Sequence, residues 1–113
     1  MRIEDYSFGR IVVDAHVYTK DLIILPGHIV PGWWRREGHS LAIEDLEAVL
    51  EAQPEILIVG SGAYERLQVP EATRQALAER RIELLVAPTA RACELYGELC
   101  GPRRAAAALH LTC

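Results

Sequence analysis

The chain has 113 residues, of which 50% are hydrophobic and 25% charged, and its formal net charge is −4. This size and apolar content predict a single domain over residues 1–113 with its own hydrophobic core, and the negative charge gives no reason to expect a nucleic-acid partner. The first ten residues lack the apolar stretch of a secretory signal, and no apolar run is long enough to cross a bilayer, so we expect a cytoplasmic protein without a transmembrane segment.

The first third of the chain predicts β-structure. Gly9–Tyr18 is rich in β-branched residues in rough alternation, and Asp21–Leu25 is a second apolar run. Thr19 and Lys20 between them predict a turn, so the two runs are expected to form an antiparallel hairpin. Pro-Gly pairs at 26–27 and 31–32 predict further turns, and the chain between and after them is expected to be extended.

A helical period follows this β-region. Leu46, Val49 and Leu50 have the i, i+3, i+4 spacing of one helix face, while acidic residues occupy the opposite face. Pro54 ends the predicted helix, and Ile56–Val59 comes next as an unbroken apolar run. Such a run is typical of a strand that is covered on both faces, so it predicts the centre of the sheet.

The second half of the chain alternates between helix and strand. Four alanines in its last segment favour a helix by propensity, but the alternation before them favours a closing strand. The sequence therefore predicts an α/β fold: a single domain with a mixed central sheet, in which an N-terminal β-hairpin is followed by α-β-α-β-α-β. The predicted elements of this half are a helix over Glu71–Arg81, a strand over Ile82–Val86, a helix over Thr89–Leu99 with Thr89 as N-cap, and a strand over Arg103–Leu111.

The turn Gly60-Ser61-Gly62 follows the predicted central strand, at the strand end where α/β proteins bind ligands. The phosphate-binding fingerprints need further glycines, or a lysine, running directly into a helix, and this turn has neither. We therefore interpret the glycines first as turn residues that allow a positive φ. The alternative is a small-ligand or anion site, within a binding protein or an enzyme, that combines Gly60, Ser61 and Gly62 with Arg35 and His39.

The segment Trp33-Trp34-Arg35-Arg36 is the strongest candidate for a contact with another protein, because tryptophan and arginine dominate interface hot spots. In an extended segment, Trp33 and Arg35 point one way and Trp34 and Arg36 the other. One tryptophan is then expected in the core. The competing interpretation is two packing residues and two solvated charges. Arg103-Arg104 is a second candidate contact site.

Histidine and cysteine spacing gives no further site. The histidines at positions 16, 28, 39 and 110 show no ligand-type spacing, so we predict no metal site and no cofactor. His39 is the best single candidate for a base, but no nucleophile signature accompanies it and we predict no catalytic residue. Asp14 and Asp21 flank the predicted hairpin and are interpreted as turn or edge residues. The odd number of cysteines predicts free thiols.

The order of short motifs along the chain resembles the small domain family that includes a mitochondrial respiratory complex I assembly factor and an adipogenesis-associated domain protein. Two positions depart from that family: Ser61 replaces its usual threonine, and Gly97 stands where asparagine is common. The motifs that carry the resemblance are Phe8-Gly9, Trp34-Arg35 with Gly38-His39, Glu44-Asp45-Leu46, Pro54–Gly62, Thr89 with Ala92-Cys93 and Tyr96, and Arg103-Arg104 before Ala107-Ala108-Leu109.

This resemblance implies a three-layer α/β fold and a strand for the alanine-rich segment. For function it implies a non-enzymatic protein-interaction domain, with protein partners and an assembly role for a respiratory or other membrane complex. Ligand binding at the glycine-serine-glycine turn is the alternative, and a homodimer with a structural role is a third possibility.

Overall fold

The structure is a computed structural model that describes residues 1–113. It contains eight strands and three α-helices. The strands are β1 (Ile3–Ser7), β2 (Arg10–Val13), β3 (His16–Tyr18), β4 (Leu22–Leu25), β5 (His28–Pro31), β6 (Ile56–Gly60), β7 (Glu83–Ala87) and β8 (Ala105–Leu109); the helices are α1 (Glu47–Ala52), α2 (Glu71–Glu79) and α3 (Thr89–Leu99).

The central sheet has five strands in the order β5-β4-β8-β6-β7. Strands β8, β6 and β7 are parallel, whereas β5, β4 and β8 are antiparallel, so the predicted mixed sheet is confirmed. All five residues of β6 are buried, as expected for a strand covered on both faces. The middle position belongs to β8, and β6 lies beside it.

Two hydrophobic clusters cover the two faces of this sheet and make the domain three-layered. Leu57 and Val59 of β6 face a cluster that includes residues of α1 and α2. Ile56 and Ile58 face the opposite cluster, which includes residues of α3 and of the N-terminal strands. Because successive side chains of β6 alternate between the two clusters, both faces of the strand are buried and β6 has no polar face.

The alanine-rich segment is a strand, which confirms the prediction against helix propensity. Residues Ala105–Leu109 form β8, every one of them is buried, and alternate side chains enter the two clusters. Small side chains let the layers above and below approach the middle of the sheet closely.

The N-terminal strands are antiparallel, but they pair differently from the predicted hairpin. The expected strand Gly9–Tyr18 is divided by a two-residue turn at Asp14 and Ala15, which both have positive φ (48° and 66°). This turn connects β2 to β3, and β1 pairs with β2, giving a separate three-stranded sheet. The prediction was wrong here because Asp-Ala is an unusual pair for a turn that needs two positive φ angles.

Helix boundaries show smaller differences. The first predicted helix begins as a 3-10 turn over Ile43–Leu46 before α1, and α2 ends at Glu79 rather than Arg81. Helix α3 spans the predicted residues, but Pro88 is its N-cap, and the hydroxyl of Thr89 bonds elsewhere. None of the helices has the length and apolar character that crossing a bilayer requires.

Candidate functional site

Polar residues converge where β6 and β8 end and β4 begins. Because β6 and β8 are parallel, Ser61 and His110 follow them at the same edge of the sheet. Strand β4 runs antiparallel to β8 with Leu22 opposite Leu109, so Asp21 lies beside His110. We call Asp21, Arg35, His39, His110 and Cys113 the His110 cluster.

Asp21 is the acceptor at the centre of the His110 cluster. Its Oδ2 accepts hydrogen bonds from Arg35 Nη1 at 2.9 Å and from His110 Nδ1 at 2.7 Å, and its Oδ1 accepts from the Leu111 amide at 2.8 Å. Burial, the largest single effect, acts to raise the carboxyl pKa, but the hydrogen bonds from His110, Leu111 and Arg35 together lower it. Asp21 is therefore an ionised carboxylate whose two oxygens are both hydrogen-bonded within the protein, and not the simple turn or edge residue expected from the sequence.

Arg35 is buried and held on several sides. Its guanidinium lies 4.6 Å from the centroid of the Trp33 ring, pairs with Asp21, and donates from Nη2 to the Gly38 carbonyl at 3.0 Å. The side chains of Arg35 and Asp21 are only 6% and 16% exposed. The positive charge is thus neutralised within the protein by Asp21.

His110 has one satisfied ring nitrogen and one free ring nitrogen. A carboxylate can only accept, so Nδ1 carries the proton that is donated to Asp21 Oδ2. Nε2 is buried and has no hydrogen-bond partner. In the neutral imidazole with its proton on Nδ1, this nitrogen carries a free lone pair.

His39 and Cys113 complete the cluster. The His39 ring meets the His110 ring edge to face, with centroids 6.0 Å apart. Potential ligand atoms of His39, His110 and Cys113 all lie within 4.8 Å of one another. The residues are exposed, buried and half-buried respectively, so the cluster extends from the surface into the protein.

The amides of the Gly60-Ser61-Gly62 turn are bonded to the protein itself. The Ser61 amide and hydroxyl both donate to the Ala87 carbonyl, at 2.9 and 3.0 Å, and the Gly62 amide donates to Thr89 Oγ1 at 2.8 Å. The Ala63 amide donates to the Thr112 carbonyl at 2.6 Å. An anion could use these amides only by displacing bonds that already exist.

The two glycines of the turn serve different needs. Gly62 has φ +101°, and a Cβ there would lie 2.4 Å from the carbonyl carbon of Cys113. Gly60 leaves room for Thr89, whose Oγ1 would be 2.9 Å from an added Cβ. The predicted positive φ therefore applies at Gly62, and close approach explains Gly60.

The tryptophan-arginine segment alternates between inside and outside as its sequence indicated. Trp33 and Arg35 are buried, whereas Trp34 and Arg36 are exposed. The Trp33 indole nitrogen donates to the Asp45 carbonyl at 2.9 Å. Trp34 is 76% exposed.

Arg103 and Arg104 precede β8 and so lie at the opposite end of this strand from His110. Arg103 pairs with Glu83 at 3.1 Å. The Arg104 guanidinium donates to the Ala52 carbonyl at 2.6 Å, near the end of α1. The two predicted contact sites are thus on different ends of the domain, and each of these arginines has a partner inside the protein.

A comparison with protein families identifies the chain. Residues 3–110 match the protein family of unknown function DUF498/DUF598. The chain belongs to this family. The resemblance to a small, largely uncharacterised domain family is thereby confirmed.

Solved structures similar to this DUF498/DUF598 protein share its whole fold. A conserved hypothetical protein from Pyrococcus horikoshii OT3 is 31% identical, with a TM-score of 0.86 over 100% of both chains. An outer membrane protein from Bartonella henselae is 28% identical, with a TM-score of 0.83 over 97% of this chain and 93% of its own. A Xanthomonas campestris protein is 25% identical, with a TM-score of 0.80 over 96% and 83%. The α/β architecture is therefore shared.

The sequence did not predict that three residues of the His110 cluster belong to a site: Asp21, His110 and Cys113. A signal was available for two of them. His110 and Cys113 follow the strand that is parallel to β6, and polar residues at the carboxyl ends of parallel strands are the usual ligand-binding positions of α/β sheets. Asp21 had no such signal, because its neighbour in space depends on the antiparallel pairing of β4 with β8.

Proposed function

We propose that this protein is a non-enzymatic partner-binding domain that uses Trp34 to contact another protein. The observation that carries the proposal is the 76% exposed indole of Trp34, set between two buried side chains. Tryptophan is enriched among the few residues that dominate binding energy at interfaces, because its large surface is desolvated on binding.

The backbone on both sides of Trp34 is fixed, which supports this proposal. The Trp33 amide donates to the Asp21 carbonyl at 2.7 Å, and the Arg36 amide donates to Asp45 Oδ1 at 3.2 Å. A side chain presented from a fixed backbone loses less conformational entropy on binding than one on a mobile loop. Trp34 is therefore suited to act as an anchor.

Arg36 indicates the chemistry of the partner. It is exposed and forms no ion pair within the protein, in contrast to the buried Arg35. A partner with an apolar pocket for the indole and a carboxylate for Arg36 would complement both groups. Arg103 and Arg104 have less support as contacts, since both already bind groups of this chain.

The resemblance to a complex I assembly factor supports a more specific form of the proposal. In that form the partner is a subunit of a respiratory or other membrane complex, and this protein acts on it from the cytoplasm during assembly. Family analogy is the support for this step. Self-association through the same surface is a separate outcome, which light scattering would report.

Affinity capture from the native host with solubilised membranes tests the proposal. Wild type, Trp34→Ala and the control Tyr64→Ala would be compared by quantitative mass spectrometry. Tyr64 is also an exposed aromatic residue, at 70%, so its removal is a matched change. We expect partners that are retained by wild type and Tyr64→Ala and lost with Trp34→Ala, while both variants unfold within about 0.5 kcal/mol of wild type. Capture of the same proteins by Trp34→Ala would contradict the proposal.

The alternative of an anion site at Gly60-Ser61-Gly62 has less support, because the Ser61, Gly62 and Ala63 amides are bonded within the protein. A thermal-shift screen with phosphates and nucleotides addresses it. A ligand at a hundredfold excess over its dissociation constant would add about 2.7 kcal/mol of stability. A shift of that size that Ser61→Ala abolishes would favour the alternative.

A further inference from the structure

We propose that His39, His110 and Cys113 form a binding site for a thiophilic divalent metal ion of the Zn²⁺ class. Nothing in their spacing along the chain indicates a site. The fold brings their potential ligand atoms within 4.8 Å of one another at the carboxyl edge of the sheet. Two imidazoles and one thiolate are a donor set that zinc prefers.

The hydrogen bonding of His110 suits it to bind a metal ion through Nε2. It is 6% exposed, and its Nδ1 donates to Asp21 at 2.7 Å, which places the free lone pair on Nε2. That nitrogen is buried without a partner, and leaving a buried polar atom unsatisfied normally costs free energy. Carboxylate, histidine and metal in this order form a common arrangement, in which the carboxylate orients the ring and raises its basicity.

The surrounding contacts keep Asp21 and His110 in this arrangement. Arg35 Nη1 binds Asp21 Oδ2 at 2.9 Å, and the Leu111 amide binds the other oxygen at 2.8 Å. Asp21 is therefore fixed on both carboxylate oxygens, and the charge of Arg35 is balanced before any cation arrives. The negative charge of the Cys113 thiolate would then offset part of the positive charge of a bound divalent ion.

His39 and Cys113 have fixed backbones and adjustable side chains. The His39 carbonyl accepts from the Gln68 amide at 2.8 Å, and the Cys113 carbonyl accepts from the Arg66 amide at 3.0 Å. Bond lengths of about 2.0–2.3 Å place the ligand atoms of a tetrahedral zinc site about 3.3–3.8 Å apart. Side-chain rotations that move the ligand atoms by about 1 Å would therefore bring them to the separations of a tetrahedral zinc site.

The shape of this corner favours an ion over an organic ligand. The protein has four surface cavities, and none of them is lined by His39, His110 or Cys113. A small organic molecule needs a cavity of about 300 Å³ or more, whereas a metal ion needs only its ligands. Nitrogen and sulfur donors also select against Mg²⁺ and Ca²⁺, which prefer oxygen.

Metal titration of the full chain, reduced and freed of metal by chelation, tests the proposal. Zn²⁺ would be titrated in competition with a chromophoric chelator, and Co²⁺ would be added separately as a spectroscopic probe. We expect one Zn²⁺ per chain and a Co²⁺ spectrum with a thiolate charge-transfer band. Cys113→Ser should abolish that band, and His39→Ala should weaken Zn²⁺ binding by more than the about 10–100-fold typical of losing an outer-shell partner.

Matched variants separate this site from adventitious binding. Cys100→Ser replaces another half-buried free cysteine, and His28→Ala another exposed histidine. Both controls should bind Zn²⁺ as wild type does. Circular dichroism would verify that all four variants are folded. The proposal is overturned if wild type binds less than one Zn²⁺ per chain, if the Co²⁺ band survives Cys113→Ser, or if His39→Ala binds no more weakly than His28→Ala.

Discussion

Replacing Asp21 by asparagine is the most informative single test of the His110 cluster. The substitution keeps the shape of the side chain but removes its charge and turns one acceptor oxygen into a donor group. At present the two carboxylate oxygens accept from Arg35, His110 and the Leu111 amide. An amide nitrogen would face at least one of these donors, and the buried Arg35 charge would have no counter-ion.

The structure sets the size of the expected effect. The Arg35 and Asp21 side chains are 6% and 16% exposed, so water can replace little of the lost interaction. Removing one partner of a buried ion pair costs about 3–5 kcal/mol. Because Asp21 keeps some solvent contact, we expect a loss of about 3–4 kcal/mol in the free energy of unfolding at pH 7. At about 4 °C per kcal/mol, this lowers Tm by about 12–16 °C.

Urea and thermal unfolding of wild type, Asp21→Asn and the control Asp5→Asn would measure this. Asp5 pairs with Arg10 at 3.2 Å, but their side chains are 62% and 46% exposed. An exposed pair contributes at most about 1 kcal/mol. A loss for Asp21→Asn no larger than that for Asp5→Asn would refute the assignment of Asp21 as the centre of a buried network.

Acidification gives a second check on the same variant. Burial acts to raise the folded-state pKa of Asp21, but the hydrogen bonds that the carboxylate accepts from His110, Leu111 and Arg35 together outweigh burial, so the pKa is lowered. Its ionised form therefore stabilises the protein fully above the unfolded aspartate pKa of about 4, and this contribution is lost as the pH falls through the lowered folded-state pKa. The stability difference between wild type and Asp21→Asn should shrink under acid conditions. A difference that grows on acidification would contradict the reasoning.

Three further predictions concern the corner where β6 ends and the thiol of Cys93 in α3. Gly62→Ala should destabilise the protein by at least about 2 kcal/mol, because φ is positive there and the added Cβ would lie 2.4 Å from the Cys113 carbonyl carbon. Gly101→Ala, at a position where an added Cβ meets open space, is the control in the same urea-unfolding assay. Thr89→Val should cost about 2–4 kcal/mol, because it leaves the Gly62 amide and the His110 carbonyl without their buried partner; Thr89→Ser keeps the hydroxyl and should cost clearly less. Burial raises the pKa of the Cys93 thiol to about 12, so alkylation of Cys93 at pH 8, followed by peptide mass spectrometry, should be much slower in the folded protein than in urea. Equal rates in both states would show that the thiol is accessible and not held protonated by burial.

The fold could be predicted largely from local pattern. An unbroken apolar run such as Ile56–Val59 indicates a strand covered on both faces, and β6 is such a strand. Alternation within Trp33–Arg36 predicted that Trp33 and Arg35 would point the opposite way from Trp34 and Arg36, because successive side chains of an extended segment point to opposite sides. The structure shows that the first pair is the buried one. The pairing of the first strands was not predictable in the same way, since Ala15 stands at a positive-φ position of the turn where glycine is the usual residue.

By itself, then, the sequence determined the α/β class, the covered strand β6, and the alternation of side chains along the segment Trp33–Arg36. Those properties depend on neighbours within a few residues. The tertiary structure alone decided the contents of the His110 cluster: Asp21 and His110 are 89 residues apart and meet through a 2.7 Å hydrogen bond. Their contact depends on which strands pair and in which direction, and the hydrophobic periodicity of a segment does not specify its pairing partner. Chemistry at this corner is therefore a property of strand order, with β4 antiparallel and β6 parallel to β8.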